Sequence, residues 1–258
     1  MARIAFIHDI SDLSLWRDGL WGAINMLRNK FDIDMYRHDE YEGGEYSFVL
    51  GWGGFNSPVE KMLRNISGKK GLCIGGNAFH PTTMHEYDVL FYETMWYRKQ
   101  IAMHPNHIHA FGVNTDIYYP NQSAPKMFDY LGVGSFSLWK RWEMMTKKKG
   151  NRFVIGEVQK DNISESMQII DNLIRHGIGV SHVVDPKLLS RYYQASRKVY
   201  IPAEIHGGGE RAILEARACG CEVEIEGDNE KLGELTSSVL YSHFYYANQL
   251  EKGIRSCL

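Results

Sequence analysis

The chain has 258 residues, of which 44% are hydrophobic and 23% charged, so it can fold as one large domain or as two small ones. Its formal net charge of −2 excludes a general electrostatic attraction to nucleic acid or to a membrane surface. No apolar stretch approaches the roughly 20 residues that a membrane-spanning helix requires.

Short apolar runs alternate with amphipathic stretches along the first half, which is the pattern of a parallel sheet with crossover helices. The first run, at 3–8, is typical of a buried strand rather than of a signal peptide. Strands are predicted at 3–8, 32–36, 47–51, 71–75, 88–92 and 107–111, and helices at 17–30, 57–66 and 93–101. Glycines follow the third and fourth of these strands, at the carboxyl ends where doubly wound sheets bind ligands.

A second series of elements begins after residues 114–126, which contain two prolines and are predicted as an interdomain linker. Its strands are predicted at 128–133, 152–156, 179–184, 198–201 and 222–225. Its helices are predicted at 138–148, 163–176, 186–195, 209–219 and 229–235. A last helix with an aromatic face is predicted at 236–255. We therefore predict an α/β protein with two Rossmann-like domains, 1–115 and 116–240, and a C-terminal segment at 241–258.

The segment 196–226 carries the strongest functional signal. An apolar run at 199–201 stops at Pro202, three glycines follow at 207–209, and a helical pattern begins near Glu210 and closes at Gly220. A strand, a glycine turn and a helix aim backbone N–H groups and a positive helix end at an anion. The pattern predicts a phosphate site, and the alternative is a tight turn without a ligand.

Three histidines, His104, His107 and His109, raise the alternative of a metal site. Two of them alternate along a predicted strand, and neither cysteine nor carboxylate completes a tetrahedral set, so a structural role is favoured. The four cysteines form no CxxC pair, which favours reduced thiols and a cytoplasmic location.

Four segments of the C-terminal half carry a family resemblance. They are FGVNTDIYYP at 111–120, FDYLGVGSFSLWKR at 128–141, GVSHVVDPKLLSRYYQASRKVYIPAE at 179–204 and GGERAILEARACGCEVEI at 208–225. In this order they resemble the retaining glycosyltransferases of the GT-B fold called family 4 or group 1, which include glycogen and sucrose synthases. The resemblance implies two doubly wound domains that face each other across a crevice. It also implies that the last helix, within 241–258, packs back on the first domain.

The resemblance also implies roles for individual donor-binding residues. Glu215 matches the family's Glu that accepts hydrogen bonds from the ribose hydroxyls of the nucleotide. Lys140 or Arg141 falls where the family places a basic residue on the diphosphate. The segment that meets the distal phosphate and the sugar comprises Gly208, Gly209, Glu210 and Arg211.

One position departs from the family pattern. A second Glu stands eight residues before the ribose-binding Glu in the family, and here that position is Gly207. With one inserted residue, His206 takes the place instead, and Glu204 and Glu210 are the nearest carboxylates. Glu210 and His206 are therefore the catalytic candidates in this segment.

Two features of the first half stay open between a functional and a structural interpretation. His80 follows the predicted strand at 71–75, where related enzymes carry a His that contacts the donor sugar, and it is our third catalytic candidate. Loop structure alone would also explain His80. Gly19 and Gly22 fall where the family has a glycine-rich loop, but both would also suit a packed amphipathic helix.

The resemblance implies an enzyme that moves a hexosyl or pentosyl group from a nucleoside diphosphate sugar, such as a UDP-sugar, to a hydroxyl of a saccharide or another small molecule. It implies retention of configuration and no metal or other cofactor. One alternative is a glycosyltransferase for hydroxymethyl-pyrimidine bases in DNA, as in some compact phage proteins, although the near-neutral charge argues against duplex binding. The other is a non-catalytic nucleotide-sugar binding protein, in keeping with the missing Glu. The nucleotide, sugar, acceptor and oligomeric state stay open.

Overall fold

The computed structural model describes residues 1–10, 13, 16–75, 81–182 and 184–258, and the chain divides into two compact units. The first unit comprises Met1–Asn114 and Tyr241–Leu258, and the second comprises Thr115–Leu240. Of the residues predicted as a linker, 115–126 begin the second unit. There Tyr118 is buried, and its ring packs edge-on against that of Tyr193.

The first unit is built on a parallel sheet. Its described strands are β1 (Arg3–His8), β2 (Asp32–Arg37), β3 (Phe48–Gly53), β4 (Lys70–Ile74), β5 (Val89–Tyr92) and β6 (His107–His109). Between them lie helices α1 (Gly19–Leu27), α2 (Pro58–Arg64) and α3 (Met95–Gln100) and a 3-10 helix at Pro81–Glu86. The strand order is β2-β1-β3-β4-β5-β6, with every neighbouring pair parallel.

Individual residues explain where α2 begins and how closely α1 packs in the first unit. The Ser57 side chain accepts a hydrogen bond from the N–H of Glu60 at 3.1 Å, and Pro58 fixes the first turn of α2. In α1, Gly19 lies against a backbone carbonyl oxygen and Gly22 against the ring of His243. Both glycines of α1 therefore allow close packing, which agrees with the structural interpretation of Gly19 and Gly22.

The second unit is also a parallel α/β sheet. Its described strands are β7 (Phe128–Val133), β8 (Arg152–Gly156), β9 (Gly179–His182), β10 (Ser196–Ile201) and β11 (Glu222–Ile225), and their order is β11-β10-β7-β8-β9. Its α-helices are α4 (Ile163–Arg175), α5 (Pro186–Gln194), α6 (Glu210–Ala218) and α7 (Glu230–Ser237), and its 3-10 helices are Leu138–Lys140, Trp142–Lys147 and Lys160–Asn162. One buried core cluster of this unit includes Trp142, Met145, Leu173 and Tyr200.

Two predicted helices differ from the structure. The helix expected at 138–148 is two short 3-10 helices that are separated by Arg141, whose φ of 50° lies in the left-handed region. The helix expected at 236–255 is α8 (His243–Cys257), since α7 extends to Ser237 and Ser242 pairs in parallel with Val113. The α8 helix belongs to the first unit, where it packs on α1 and β5.

Among the described residues, every helix is too short or too polar to cross a bilayer.

Candidate functional site

The candidate site lies at the carboxyl ends of β7 and β10, which are neighbours in the sheet of the second unit. From β7 the chain continues to β8 on one side, and from β10 it continues to β11 on the other. The direction of the connections therefore reverses between β7 and β10. Open parallel sheets bind ligands at such switch points, because the loops after the two strands diverge there. The loops concerned span 134–141 and 202–209.

The two loops are joined through their backbones. The N–H of Glu204 donates to the carbonyl oxygen of Trp139 at 2.9 Å, and Gly207 lies so close to this oxygen that a Cβ atom there would overlap it. Gly208 and Gly209 have φ values of 67° and 121°, which glycine adopts with little strain. Gly209 is the N-cap residue of α6, and it brings no side chain to the first N–H groups of the helix. This geometry suits an anion at the start of α6.

Two side chains fasten the loop after β10. The side-chain amide of Asn229 donates to the carbonyl oxygens of Ala203 and Glu204 at 2.9 and 2.8 Å, and its oxygen caps α7. The Arg141 guanidinium donates to the carbonyl oxygen of Pro202 at 2.6 Å and forms a two-pronged ion pair with Asp228 at 2.6 and 2.8 Å. The left-handed backbone at Arg141 places its side chain on these partners, so the loop is held from two sides.

Lys140 brings a buried positive charge to the site. It is only 6% exposed, and its terminal carbon lies against Gly134, where an added Cβ would come within 2.8 Å of it. Burial lowers the pKa of Lys140 to about 8. The carboxylate of Glu210 opposes this shift, and the positive charges of Lys231 and Arg211 add to it. Within the described residues the Lys140 ammonium forms neither an ion pair nor a hydrogen bond. Its charge therefore favours an anionic ligand.

Glu210, the first residue of α6, forms a buried ion pair. One of its carboxylate oxygens lies 2.5 Å from Nζ of Lys231, whose side chain is 1% exposed. Burial alone would raise the pKa of Glu210, but the charge of Lys231 and its hydrogen bond, and to a lesser degree the charge of Lys140, lower it below its ordinary value. Glu210 is therefore a carboxylate that is fixed by Lys231 and feels the charge of Lys140, and the three side chains together carry one net positive charge.

Glu215 lies further along α6 and is also buried. Its carboxylate accepts a hydrogen bond of 3.0 Å from the hydroxyl of Tyr193, and burial, with the charge of Glu215, raises the pKa of that hydroxyl well above its ordinary value. Tyr193 therefore remains a hydrogen-bond donor that orients Glu215. The contact with a ribose stays a prediction.

Two further predicted site residues are exposed, unlike Lys140, Glu210 and Glu215. His206 is exposed in the loop just before Gly207, and Arg211 is exposed in the first turn of α6. The guanidinium of Arg141 is taken up by Asp228 and Pro202, so Lys140 is the better placed of the two basic candidates. His80 lies outside the described residues.

The sequence analysis did not predict Asn229, Asp228 or Lys231 as residues of the site, although the sequence carries a signal for Asn229 and for Lys231. An Asn directly before a helical pattern is typical of an N-cap, as Asn229 is for α7. Lys231 stands four residues before Leu235 and next to Leu232, both buried, so it lies on the apolar stripe of α7. A lysine at such a position predicts a buried charge with a partner.

The three histidines considered for a metal site form hydrogen bonds within the first unit. The ring nitrogens of His104 contact the carbonyl oxygens of Asn106 and Tyr87 at 2.7 and 2.9 Å. His107 contacts the carbonyl oxygen of His104, and His109 contacts the hydroxyl of Tyr245. Among the described residues, no group of three or more His, Cys, Asp or Glu side chains is placed to hold a metal ion.

Comparison with known proteins shows the fold. No protein-family model matches the sequence, and no curated protein matches it by sequence. Solved structures match over nearly the whole chain. Sucrose-phosphate synthase from Thermosynechococcus elongatus is 12% identical, with a TM-score of 0.68 over 98% of this chain and 89% of that one. HepE from Anabaena, crystallised with UDP-glucose, is 11% identical, with a TM-score of 0.66 over 100% of this chain and 90% of that one.

A third similar structure is an α-glucosyltransferase in complex with UDP and a 13-mer DNA that contains an HMU base. It is 12% identical, with a TM-score of 0.57 over 99% of this chain and 90% of that one. These similarities, together with the two parallel sheets, show that the chain has the α/β fold of the GT-B glycosyltransferases.

Proposed function

We propose that the protein is a glycosyltransferase that transfers a sugar from a nucleoside diphosphate sugar to a hydroxyl acceptor, and that its second unit holds the donor. The observation that carries this proposal is the buried ammonium of Lys140 beside the glycine turn that opens α6. A charge buried without a direct partner costs stability, and a bound diphosphate would offset that cost. The fold shared with nucleotide-sugar enzymes supports the same ligand.

The site can supply the positive charge that the reaction needs. Breaking the bond between sugar and phosphate builds negative charge on the departing diphosphate, and positive groups held in place favour that state over the ground state. Lys140, the start of α6 and Arg211 provide such groups. We therefore propose a reaction without a metal ion, and we expect EDTA to leave turnover unchanged.

The two catalytic candidates in the loop differ in their surroundings. Glu210 is ion-paired with Lys231, so we propose that it holds this lysine in place beside the phosphate site and does not itself contact the phosphate. His206 is exposed in the loop, and we propose it as the group beside the transferred sugar. Replacement of His206 by alanine should lower kcat more than it changes the KM for the donor, since a group that acts in the transition state contributes chiefly to kcat.

Several finer properties belong to the proposal. UDP is the proposed donor nucleotide, because two similar structures were crystallised with UDP or UDP-glucose. A hexosyl group is the proposed transferred sugar, and retention of configuration is proposed on the basis of the sequence resemblance. The four cysteines are free thiols, which supports a reducing, cytoplasmic environment.

The test is a transfer assay with radiolabelled UDP-glucose and a panel of saccharide and small hydroxyl acceptors, with NMR of the product to assign its anomeric configuration. We expect turnover by the wild type, strong loss in Lys140→Met, and an α-linked product. The Lys70→Met variant is the control, because Lys70 is also a buried lysine but lies in the first unit, bound to backbone carbonyl oxygens. Binding of the donor without turnover on any acceptor would favour a non-catalytic binding protein instead.

A second candidate function is glycosyl transfer to a modified DNA base, which the similarity to the DNA-bound α-glucosyltransferase favours. The same assay with a duplex that contains hydroxymethyluracil tests it, with a thymine duplex as control. Incorporation of label into the modified duplex alone would establish this acceptor. The net charge of −2 argues for weak, salt-sensitive binding at best.

A further inference from the structure

An exposed aromatic side chain stands at the edge of the donor site. Trp139 is 52% exposed, and it lies between Leu138, which is exposed too, and the buried Lys140. Among the described residues, its ring stacks on no other aromatic ring and meets no cation. A large indole face left open to water beside a phosphate site is suited to a ligand with an apolar surface.

The backbone that carries this indole is held on several sides. The N–H of Leu138 donates to the carboxylate of Glu165 at 3.0 Å, and the carbonyl oxygen of Trp139 accepts the N–H of Glu204 at 2.9 Å. Gly207 packs directly on the same carbonyl oxygen. The turn that carries the indole is therefore hydrogen-bonded to the glycine loop. Because this turn is already fixed before a ligand binds, stacking on the indole costs less conformational entropy of the protein.

We propose that Trp139 is a stacking platform for the transferred sugar of the donor and thereby sets its specificity for pyranosyl groups. The inference rests on the proposed function, because it takes the diphosphate to lie at Lys140 and the start of α6. The sugar is bonded directly to the distal phosphate, so it must lie close to the turns that form the phosphate site, and the turn that carries Trp139 is hydrogen-bonded to the glycine loop. A pyranose presents a face of C–H groups, which packs well on an indole ring, while its hydroxyls stay at the rim.

The experiment compares each nucleoside diphosphate with its sugar ester by calorimetry, with the wild type, Trp139→Ala and Trp139→Phe. Three pairs are first compared for their stabilisation of the wild type: UDP with UDP-glucose, GDP with GDP-mannose, and ADP with ADP-glucose. The pair that stabilises the wild type most is then used with all variants. We expect Trp139→Ala to raise the Kd of the sugar ester about five- to tenfold and to leave the Kd of the bare diphosphate within about twofold. Trp139→Phe should restore most of the affinity.

Leu138→Ala is the matched control, since it removes the neighbouring exposed apolar side chain, and it should change neither Kd. Equal weakening of diphosphate and sugar ester in Trp139→Ala would place the indole on the nucleotide and overturn the proposal, as would unchanged affinity for both. Failure of the wild type to bind any of the six compounds would instead overturn the proposed function, and this inference with it. Unfolding midpoints in urea confirm that each variant is folded.

Discussion

Replacement of Lys140 by methionine should make the unliganded protein more stable while it removes donor binding. The pKa of Lys140 falls from 10.5 to about 8 in the folded chain, and its side chain is almost fully buried. Because one pKa unit corresponds to about 1.4 kcal/mol, holding this ammonium charged at pH 7 costs about 3 kcal/mol relative to the unfolded chain. Methionine has a similar length and no charge, so Lys140→Met should raise the free energy of unfolding by up to this amount.

The sign of the pH dependence follows from the same shift. The lowered pKa means that the cost is fully present below pH 8 and fades as the pH rises from 8 to 10.5, above which the lysine is neutral in both states. The stability difference between Lys140→Met and the wild type should therefore shrink over this range. Urea unfolding at pH 7, 8, 9 and 10 without ligand measures it.

Lys70→Met is the control for the stability measurement. Lys70 is as buried as Lys140, but its ammonium donates to the carbonyl oxygens of Leu63, Arg64 and Ile66 at 2.9 to 3.3 Å. Loss of these bonds should destabilise the protein by about 1–3 kcal/mol, because the carbonyl oxygens are left unpaired. If Lys140→Met is destabilised to the same extent at pH 7, the ammonium of Lys140 has a structural partner and the reasoning is refuted.

Three further predictions concern the same site. Lys231→Met should lower the free energy of unfolding in urea by about 3–5 kcal/mol, because the buried carboxylate of Glu210 loses its ion pair with Lys231. The added change Glu210→Gln should recover part of the loss, and a loss below about 1 kcal/mol would contradict the buried pair. Asn229→Ala should cost about 1–3 kcal/mol in the same measurement, since α7 loses its cap and two carbonyl oxygens lose their donor, and an unchanged midpoint would mean that the loop is held otherwise. In calorimetry, the Kd of the wild type for UDP-glucose should rise about tenfold per pH unit above 8, as Lys140 loses its proton; a flat profile to pH 10 would exclude Lys140 from the donor site.

The positions of the strands along the chain could be predicted from the sequence because each strand is a short apolar run bounded by turn residues. The glycine turn at 207–209 and the start of α6 were predicted one residue from their observed place, since the glycines and the helical pattern are local signals. Ser57 and Pro58 fixed the start of α2 in the same way. The two-unit α/β fold follows from these local patterns.

The rest depends on contacts between residues far apart in the chain. The stretch 138–148 has helical periodicity, but the guanidinium of Arg141 binds Asp228 and Pro202, and the turn breaks into two 3-10 helices around it. The pairing of Glu210 with Lys231 joins α6 to α7 and cannot be deduced from either helix alone. The sequence predicts two basic candidates for a phosphate site, Lys140 and Arg141. The structure is needed to show that Arg141 binds Asp228 and Pro202, whereas the Lys140 ammonium has no direct partner among the described residues.

The most direct test of the central claim is a thermal-shift titration of the wild type and Lys140→Met with UDP-, GDP- and ADP-sugars. A ligand that binds only the folded state stabilises it by mass action, by about 2.7 kcal/mol at one hundred times its Kd. We predict that one nucleotide class raises the Tm of the wild type in a saturable manner and that Lys140→Met, although more stable without ligand, shows little further rise. No shift of the wild type with any of these compounds, or an equal shift in Lys140→Met, would contradict a donor site built on Lys140 and the glycine turn.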